Sequence, residues 1–287
     1  MSFSRLHFGA MAVLAALITY DTAHAHGVVG DRFFPATIAT DDPFAADELA
    51  LPTVTFGQGQ EEYDFEWSKS IVKGFSISIN GGYVDAHGPS GWNNFEVTPT
   101  WQFLTDNDSE FLASAAMSFE IGGSGSHAVA DTFTTYRPKI LFGKGFGQLP
   151  DSMALLRPLA VTGVVGYAIP GSSTASKRLE WGGAVEYSLL YLQTNVRDQG
   201  FPNFVAHLTP VVEFSFQTPT DTGGGGTTGT INPGLIWSGQ YAQFTAEAVI
   251  PANSASGNNV GGMVQLHFYL DDIFPNSLGA PIFGGKR

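Results

Sequence analysis

Acidic side chains recur inside apolar, aromatic runs of this chain, and the segment 178–194, "RLEWGGAVEYSLLYLQT", is the clearest case. A helix is disfavoured there because two adjacent glycines in its middle would each cost about 1 kcal/mol relative to alanine. In a strand, successive side chains point to opposite faces, so Glu180 and Glu186 lie opposite Trp181. The segment therefore predicts a strand with one aromatic face and one acidic face, and an acidic face in contact with water attracts cations.

Polar residues of the same inward parity recur in the other runs, and together they predict a lumen-lining set. The set comprises Asp64, Glu66, Glu96, Glu120, Arg137, Lys139, Glu180, Glu186, His207, Glu213, Glu247 and His267. Its carboxylates need water, because an unpaired buried carboxylate is neutralised or very costly. The set predicts a narrow, wet, acidic lumen that prefers small cations or neutral solutes.

The elements that position these residues are alternating segments of about ten residues separated by turn residues, which is the pattern of a transmembrane β-barrel. Short connections alternate with long, glycine-rich ones such as 218–229 and 251–259. With the run 49–57 added to those that follow it, the count is about twelve strands, an even number. The predicted fold is all-β: a transmembrane antiparallel up-and-down β-barrel preceded by an irregular N-terminal segment.

Five prolines conflict with this pattern because they fall inside proposed strands. They are Pro99, Pro138, Pro158, Pro210 and Pro233. Proline cannot donate to a strand ladder, and a closed barrel has no free edge to accommodate it. The pattern leaves bulges, or strand portions outside the bilayer, as the options.

The amino terminus predicts an exported protein. Arg5 precedes the apolar stretch 8–18, and residues 23–25, "AHA", have the small-x-small pattern of a cleavage site. No later segment has the roughly 20 predominantly apolar residues of a transmembrane helix. The predicted layout is a signal peptide at 1–25, an irregular periplasmic or plug segment at 26–48, a transmembrane barrel at 49–271 and a C-terminal tail at 272–287. We therefore expect the outer membrane of a Gram-negative bacterium, with outer-membrane lipid and a small-molecule solute as partners.

Composition narrows the classes of function. The chain has 287 residues, no cysteine and a formal net charge of −13. The acidic balance disfavours nucleic acid as a partner, and the lack of cysteine excludes disulfides and thiolate metal sites. The segment "GKGFG" (143–147) lacks the Gly-Lys-Ser/Thr ending of a phosphate loop. The sequence predicts no catalytic residues, no cofactor and no metal site.

Two alternatives stay open. Cleavage before His26 would leave a terminal histidine whose amine and imidazole together can bind copper, as in the histidine-brace enzymes, and such a protein would be soluble after export. A structural barrel with a closed lumen is the other alternative.

The chain resembles the outer-membrane barrel transporters of the MetA pathway of phenol degradation. The resemblance depends on the signal peptide, the irregular lead and runs such as "YDFEWSKSIVKGFSISINGGY" and "GGMVQLHFYLD". It implies a channel or transporter for small solutes, including aromatic or hydrophobic ones, and it implies no catalytic residues. One departure is that "DDIFPNSLGAPIFGGKR" follows the last strand, whereas many such barrels end on an aromatic strand.

Overall fold

The computed structural model describes residues 27–57, 59–86 and 88–284, so the predicted signal peptide and His26 lie outside the described residues. Twelve antiparallel strands form a barrel in which each strand pairs with its neighbours along the chain. They are β1 (Glu48–Phe56), β2 (Glu61–Val72), β3 (Phe75–Asp85), β4 (Glu96–Asp106), β5 (Phe111–Glu120), β6 (Thr135–Gly145), β7 (Leu159–Pro170), β8 (Arg178–Tyr187), β9 (Leu208–Pro219), β10 (Thr228–Ser238), β11 (Ala242–Pro251) and β12 (Gly261–Tyr269). Because β12 pairs with β1, the barrel is closed, and the predicted fold class is confirmed.

Side chains alternate between the outside and the inside of the barrel along each strand. Large apolar side chains remain exposed on the outside; Trp101, for example, is 59% exposed and Ile140 is 54% exposed. Polar side chains turn inward, and Ser114 and Thr245 are fully buried there. A soluble barrel has polar side chains outside and apolar side chains inside, so this barrel has the reverse arrangement. Its apolar outer surface is suited to contact with lipid.

The connections differ between the two ends of the barrel. The end where residues 27–47 and 270–284 lie, here the terminal end, has three short turns, at 73–74, 107–110 and 239–241, and two longer connections, at 146–158 and 188–207. The opposite end, here the loop end, has longer connections such as 121–134 and 252–260. The three short turns agree with the residue pattern, whereas 146–158 and 188–207 contain helical turns and are longer than a short turn.

Several short strands and helical turns lie outside the twelve barrel strands. Val28–Val29 pairs with Arg32–Phe33 near the N-terminus, and Ser90–Trp92 extends the sheet beside β3. A 3-10 helix, Asp151–Leu156, and a helical turn, Leu270–Ile273, lie at the terminal end. Across the described ranges, no helix is long and apolar enough to span a membrane.

The strand predicted for 178–194 is too long, because the chain leaves the barrel after Tyr187. Helical turns follow at Leu189–Tyr191 and Leu192–Val196. The hydroxyl oxygen of Ser188 accepts a hydrogen bond from the N–H of Tyr191 at 3.1 Å, which caps the first turn and favours helix over strand. Tyr191 is consequently buried and does not face lipid. A further helical turn, Asn203–Ala206, precedes β9.

The five prolines fit the barrel because each lies where one neighbouring ladder is interrupted or absent. Pairing with one neighbour skips Pro99, Pro138 and Pro233. Pro158 precedes β7, and Pro210 lies beyond the last residue pair between β8 and β9. A residue in a sheet donates its N–H to one side only, so proline is tolerated where that side has no partner.

Candidate functional site

The N-terminal segment 27–47, here the plug, is held inside the terminal end of the barrel by inward-facing side chains. Its strongest anchor is Glu213 of β9. The carboxylate of Glu213 accepts the backbone N–H groups of Ile38 at 2.8 Å, Ala39 at 2.8 Å and Thr40 at 3.0 Å. It also accepts the Thr40 hydroxyl at 3.1 Å. Charged acceptors form stronger hydrogen bonds than neutral ones, so this carboxylate fixes the middle of the plug.

Other strands hold the plug from other directions. Gln243 of β11 makes two hydrogen bonds to the backbone of Ala36, at 3.1 and 2.7 Å. Further contacts join Gln102 to the N–H of Ala45, Ser68 to the carbonyl of Ala46, and Ser114 to the carbonyl of Pro43. The plug is thus satisfied by polar groups of several strands, as buried backbone requires.

Arg32 fastens the start of the plug at the terminal end. Its guanidinium is 1% exposed, donates to the carbonyl of Pro158 at 2.9 Å and lies 3.4 Å from a carboxylate oxygen of Glu110. It also lies 3.8 Å from the ring centroid of Tyr191, whose hydroxyl donates to Glu110 at 3.0 Å. Burial lowers the pKa of Arg32, and the Glu110 carboxylate opposes that shift. The helical turn that replaces the expected strand therefore serves to hold the plug.

Gly182, one of the paired glycines of β8, allows the plug to approach the wall closely. It shares the inward parity of Glu180, and a Cβ placed on it would lie 2.4 Å from the carbonyl oxygen of Phe214 on β9 and 2.9 Å from the Cγ2 atom of Thr40. A larger side chain at this position would push against the plug. The glycine pair thus reflects both strand geometry and a close approach.

A cavity of about 610 Å³ lies in the lumen beyond the plug. The plug contributes Asp41 and Asp42 to its wall, and the strands contribute acidic, hydroxyl and amide side chains. Among the wall residues are Glu48, Asp64, Glu66, Ser76, Ser78, Asn80, Glu96, Thr98, Lys139, Glu180, Gln265 and His267. The space therefore has the size of a small-molecule site and a polar lining.

A second cavity of about 380 Å³ lies next to it toward the loop end, with Arg137 in its wall. Arg137 lies 2.7 Å from Glu96, 2.6 Å from Glu120 and 3.5 Å from Glu180. One guanidinium thus joins carboxylates of β4, β5 and β8, so these three glutamates form a single charged network.

The balance of charge in the two cavities is negative. Lys139 lies 3.1 Å from Asp41 of the plug and 4.0 Å from Glu96. The cavities together are lined by nine carboxylates, Asp41, Asp42, Glu48, Asp64, Glu66, Glu96, Glu120, Asp131 and Glu180, against the two permanent cations Arg137 and Lys139. Low-dielectric walls focus such a field and raise the local concentration of cations.

The structure brings together most of the predicted lumen-lining residues. Those that line a cavity are Asp64, Glu66, Glu96, Glu120, Arg137, Lys139, Glu180 and His267. Glu186, Glu213 and Glu247 also turn inward but are only 2%, 0% and 6% exposed, so they do not line the open space as expected. Glu213 is covered because the plug fills the lumen at its level.

His207 is the predicted lumen residue that lies elsewhere. It precedes β9, and its Nδ1 lies 2.6 Å from the carbonyl oxygen of Ser238. Its ring lies near Trp237, on which Phe204 stacks with a centroid distance of 5.9 Å. The parity argument failed here because residues 203–206 are helical and the strand begins only at Leu208.

Asp41 and Asp42 are wall residues that the strand pattern missed, since they lie in an irregular segment with no periodicity. The only signal was the acidic pair in "TIATDDPF" (37–44). Withdrawal from water and the nearby Glu48 raise the pKa of Asp42 well above its ordinary value. An N–H group of Phe44 donates to Asp42 at 2.8 Å and opposes this shift.

Comparison with solved structures shows that this chain is similar in fold to known outer-membrane barrels, at low sequence identity. No family model and no curated protein matches the chain, so the resemblance to the MetA-pathway barrels remains an expectation. The structure of the KdgM porin matches with a TM-score of 0.52 and 14% sequence identity, over 77% of this chain and 98% of that chain. The KdgM porin in complex with disordered oligogalacturonate gives the same values. The NanC porin matches with a TM-score of 0.51 and 10% identity, again over 77% and 98% of the two chains. This chain therefore has the closed-barrel fold of porins.

Proposed function

We propose that this protein is an outer-membrane channel that passes small cationic and neutral solutes and that the plug restricts passage at its periplasmic end. The observation that carries the proposal is the lumen itself, with a cavity of about 610 Å³ and nine carboxylates against two permanent cations. An apolar outer surface around a polar lumen is the arrangement of an outer-membrane barrel. In such barrels the short turns are periplasmic, which orients the terminal end toward the periplasm.

The charge of the lumen supports a solute class different from that of one structural neighbour. The KdgM porin was solved with oligogalacturonate, a polyanion. Here a polyanion would meet an excess of carboxylates, and like charges disfavour its entry. Inward serine, threonine and amide side chains favour polar solutes over the aromatic or hydrophobic solutes that the family resemblance implies.

A barrel with a closed lumen is the second candidate, because the plug is bonded to several strands at once. The charges of the cavity favour the channel, since a permanently closed interior gains nothing from carboxylates that must stay hydrated. No contact of the described residues supports the copper alternative, whose terminal His26 lies outside them.

Single-channel recording of the purified protein in planar bilayers tests the proposal. We expect discrete conductance steps in potassium chloride that added oligogalacturonate leaves unchanged. Silent bilayers, despite heat-modifiable migration on gels that shows a folded barrel, would favour the closed structural barrel. Block by oligogalacturonate would contradict the charge argument.

A further inference from the structure

One side of the cavity carries a row of carboxylates, here the acidic row: Asp42, Glu48, Asp64 and Glu66. Asp64 and Glu66 are inward neighbours on β2, about 6.6 Å apart along the strand. Glu48 lies at the start of β1, and Asp42 belongs to the plug. Glu48 is an electrostatic neighbour of both Asp42 and Glu66. The row therefore extends as one acidic wall from the plug toward the loop end.

The two permanent cations that line the cavities are engaged elsewhere. Lys139 pairs with Asp41, and Arg137 is shared among three glutamates. The imidazole of His267 faces one end of the row, with its Nε2 3.3 Å from Glu48. Among the described residues, no lysine or arginine forms an ion pair with a member of the acidic row. The carboxyl groups of the row therefore have no lysine or arginine counter-ion within the described part of the chain.

Gln265 provides an independent sign of a ligand. It is 7% exposed and lines the same cavity. Its Nε2 donates to the hydroxyl of Thr53 at 2.9 Å, but its Oε1 has no hydrogen-bond partner. Gln265 pairs with Thr53 across the ladder, and Thr53 pairs with Asp64, so the three residues stand side by side on adjacent strands. A buried acceptor without a protein donor, level with a carboxylate, is a position to which a bound molecule can donate a hydrogen bond.

We propose that this wall is a binding site for an aliphatic diamine or polyamine, whose ammonium groups pair with Asp64 and Glu66 and donate to Gln265. This proposal rests on the proposed channel function, which lets the solute reach the lumen. An ammonium group has three donors and no acceptor, which suits a wall of carboxylates and an orphaned amide oxygen. A cavity of about 610 Å³ accommodates such a molecule.

The spacing of the row favours a chain of amines over a single metal ion. Among the described residues, no group of three or more histidine, aspartate or glutamate side chains is placed to hold a metal ion, and successive inward residues of a strand lie about 6.6 Å apart along it. Two ammonium groups on a flexible spacer can satisfy both carboxylates at once. A monoamine can satisfy only one of them.

Isothermal titration calorimetry of the folded protein in detergent tests the site, with putrescine as the probe. Propylamine, succinate and magnesium chloride serve as monoamine, anion and metal probes. We expect saturable binding of putrescine, binding at least about tenfold weaker for propylamine, and none for succinate. Asp64→Asn combined with Glu66→Gln, which keeps the side-chain sizes, should weaken putrescine binding about tenfold or more. Gln265→Leu should weaken it by a smaller factor.

Asp151→Asn is the matched control, because Asp151 pairs with Arg157 on a helix outside the cavity and its side chain is 98% exposed. This variant should bind putrescine like the wild type. No binding of putrescine, or magnesium binding that is equally tight and equally sensitive to the paired substitution, would overturn the site. Cation-selective conductance without putrescine binding would reject the site and retain the channel. Binding without conductance would reject the channel and retain the site.

Discussion

At the residue scale, Arg137 has the largest influence on the charge of the lumen, because it neutralises part of three glutamates at once. Arg137→Gln should therefore make the channel more cation-selective, shown by a larger reversal potential in a salt gradient. It should also lower the free energy of unfolding by about 1 to 3 kcal/mol, since charged hydrogen-bond partners are lost. Arg197→Gln, at an exposed position, is the control that should change neither quantity. An unchanged reversal potential in Arg137→Gln would mean that this network does not line the conducting path.

Neighbouring residues of β8 test the assignment of faces. Trp181 is 37% exposed, and its ring stacks on Phe216 at a centroid distance of 4.6 Å. Strand alternation places it on the outer face, whereas Glu180 lies 3.5 Å from Arg137 on the lumen side. Trp181→Glu should cost about 2 to 4 kcal/mol of folding in the membrane, and less if it lies close to the interface. Glu180→Gln should leave folding intact and reduce cation preference. Urea titrations in lipid vesicles measure the first effect, and tolerance of Trp181→Glu would show that the faces are reversed.

At the element scale, the plug depends on one carboxylate for four of its hydrogen bonds. Glu213→Ala should loosen the plug and raise the time-averaged conductance of single channels. Glu61→Ala removes an exposed glutamate near the loop end and should leave conductance unchanged. If Glu213→Ala conducts like the wild type, the plug either does not restrict passage or is held without this anchor.

The pH dependence of the plug follows from Asp42. Its pKa is raised in the docked plug by withdrawal from water, so docking favours the protonated form and weakens as pH rises through that pKa. Asp42→Asn keeps the acceptor for the Phe44 N–H and removes the charge. Hydrogen exchange of the plug amides should therefore be slower in Asp42→Asn than in the wild type at neutral pH. The difference should vanish below about pH 4, where the carboxyl is protonated in both the docked and the free segment. Equal exchange at neutral pH would contradict this role of Asp42.

The elements also show where sequence reasoning succeeds and where it stops. Period-two alternation gives the strands and their faces because each face meets one solvent along the whole strand. The turn at Leu189–Tyr191 was misread because leucine and tyrosine suit either structure, and the deciding contacts, Ser188 capping and Tyr191 bonding to Glu110, depend on tertiary structure. The anchoring of residues 38–40 by Glu213 joins positions more than 170 residues apart, so no local pattern could show it.

At the scale of the whole molecule, the outer surface and the lumen reverse the usual distribution of polarity. Closed barrels resist cold detergent, so the mature protein should fractionate with outer membranes and migrate differently on gels before and after boiling. The barrel resists cold detergent because its twelve strands form a closed ladder, which has no free edge strand at which unfolding could begin. Recovery in the soluble periplasmic fraction would contradict the membrane barrel.

The net negative charge of the lumen predicts that the channel prefers cations over anions. The most direct measurement is the reversal potential of single channels in a planar bilayer across a potassium chloride gradient. We predict a reversal potential of the sign given by potassium selectivity, weakening as salt rises and the screening length falls below about 10 Å. A reversal potential of the opposite sign, showing preference for chloride, would contradict the account.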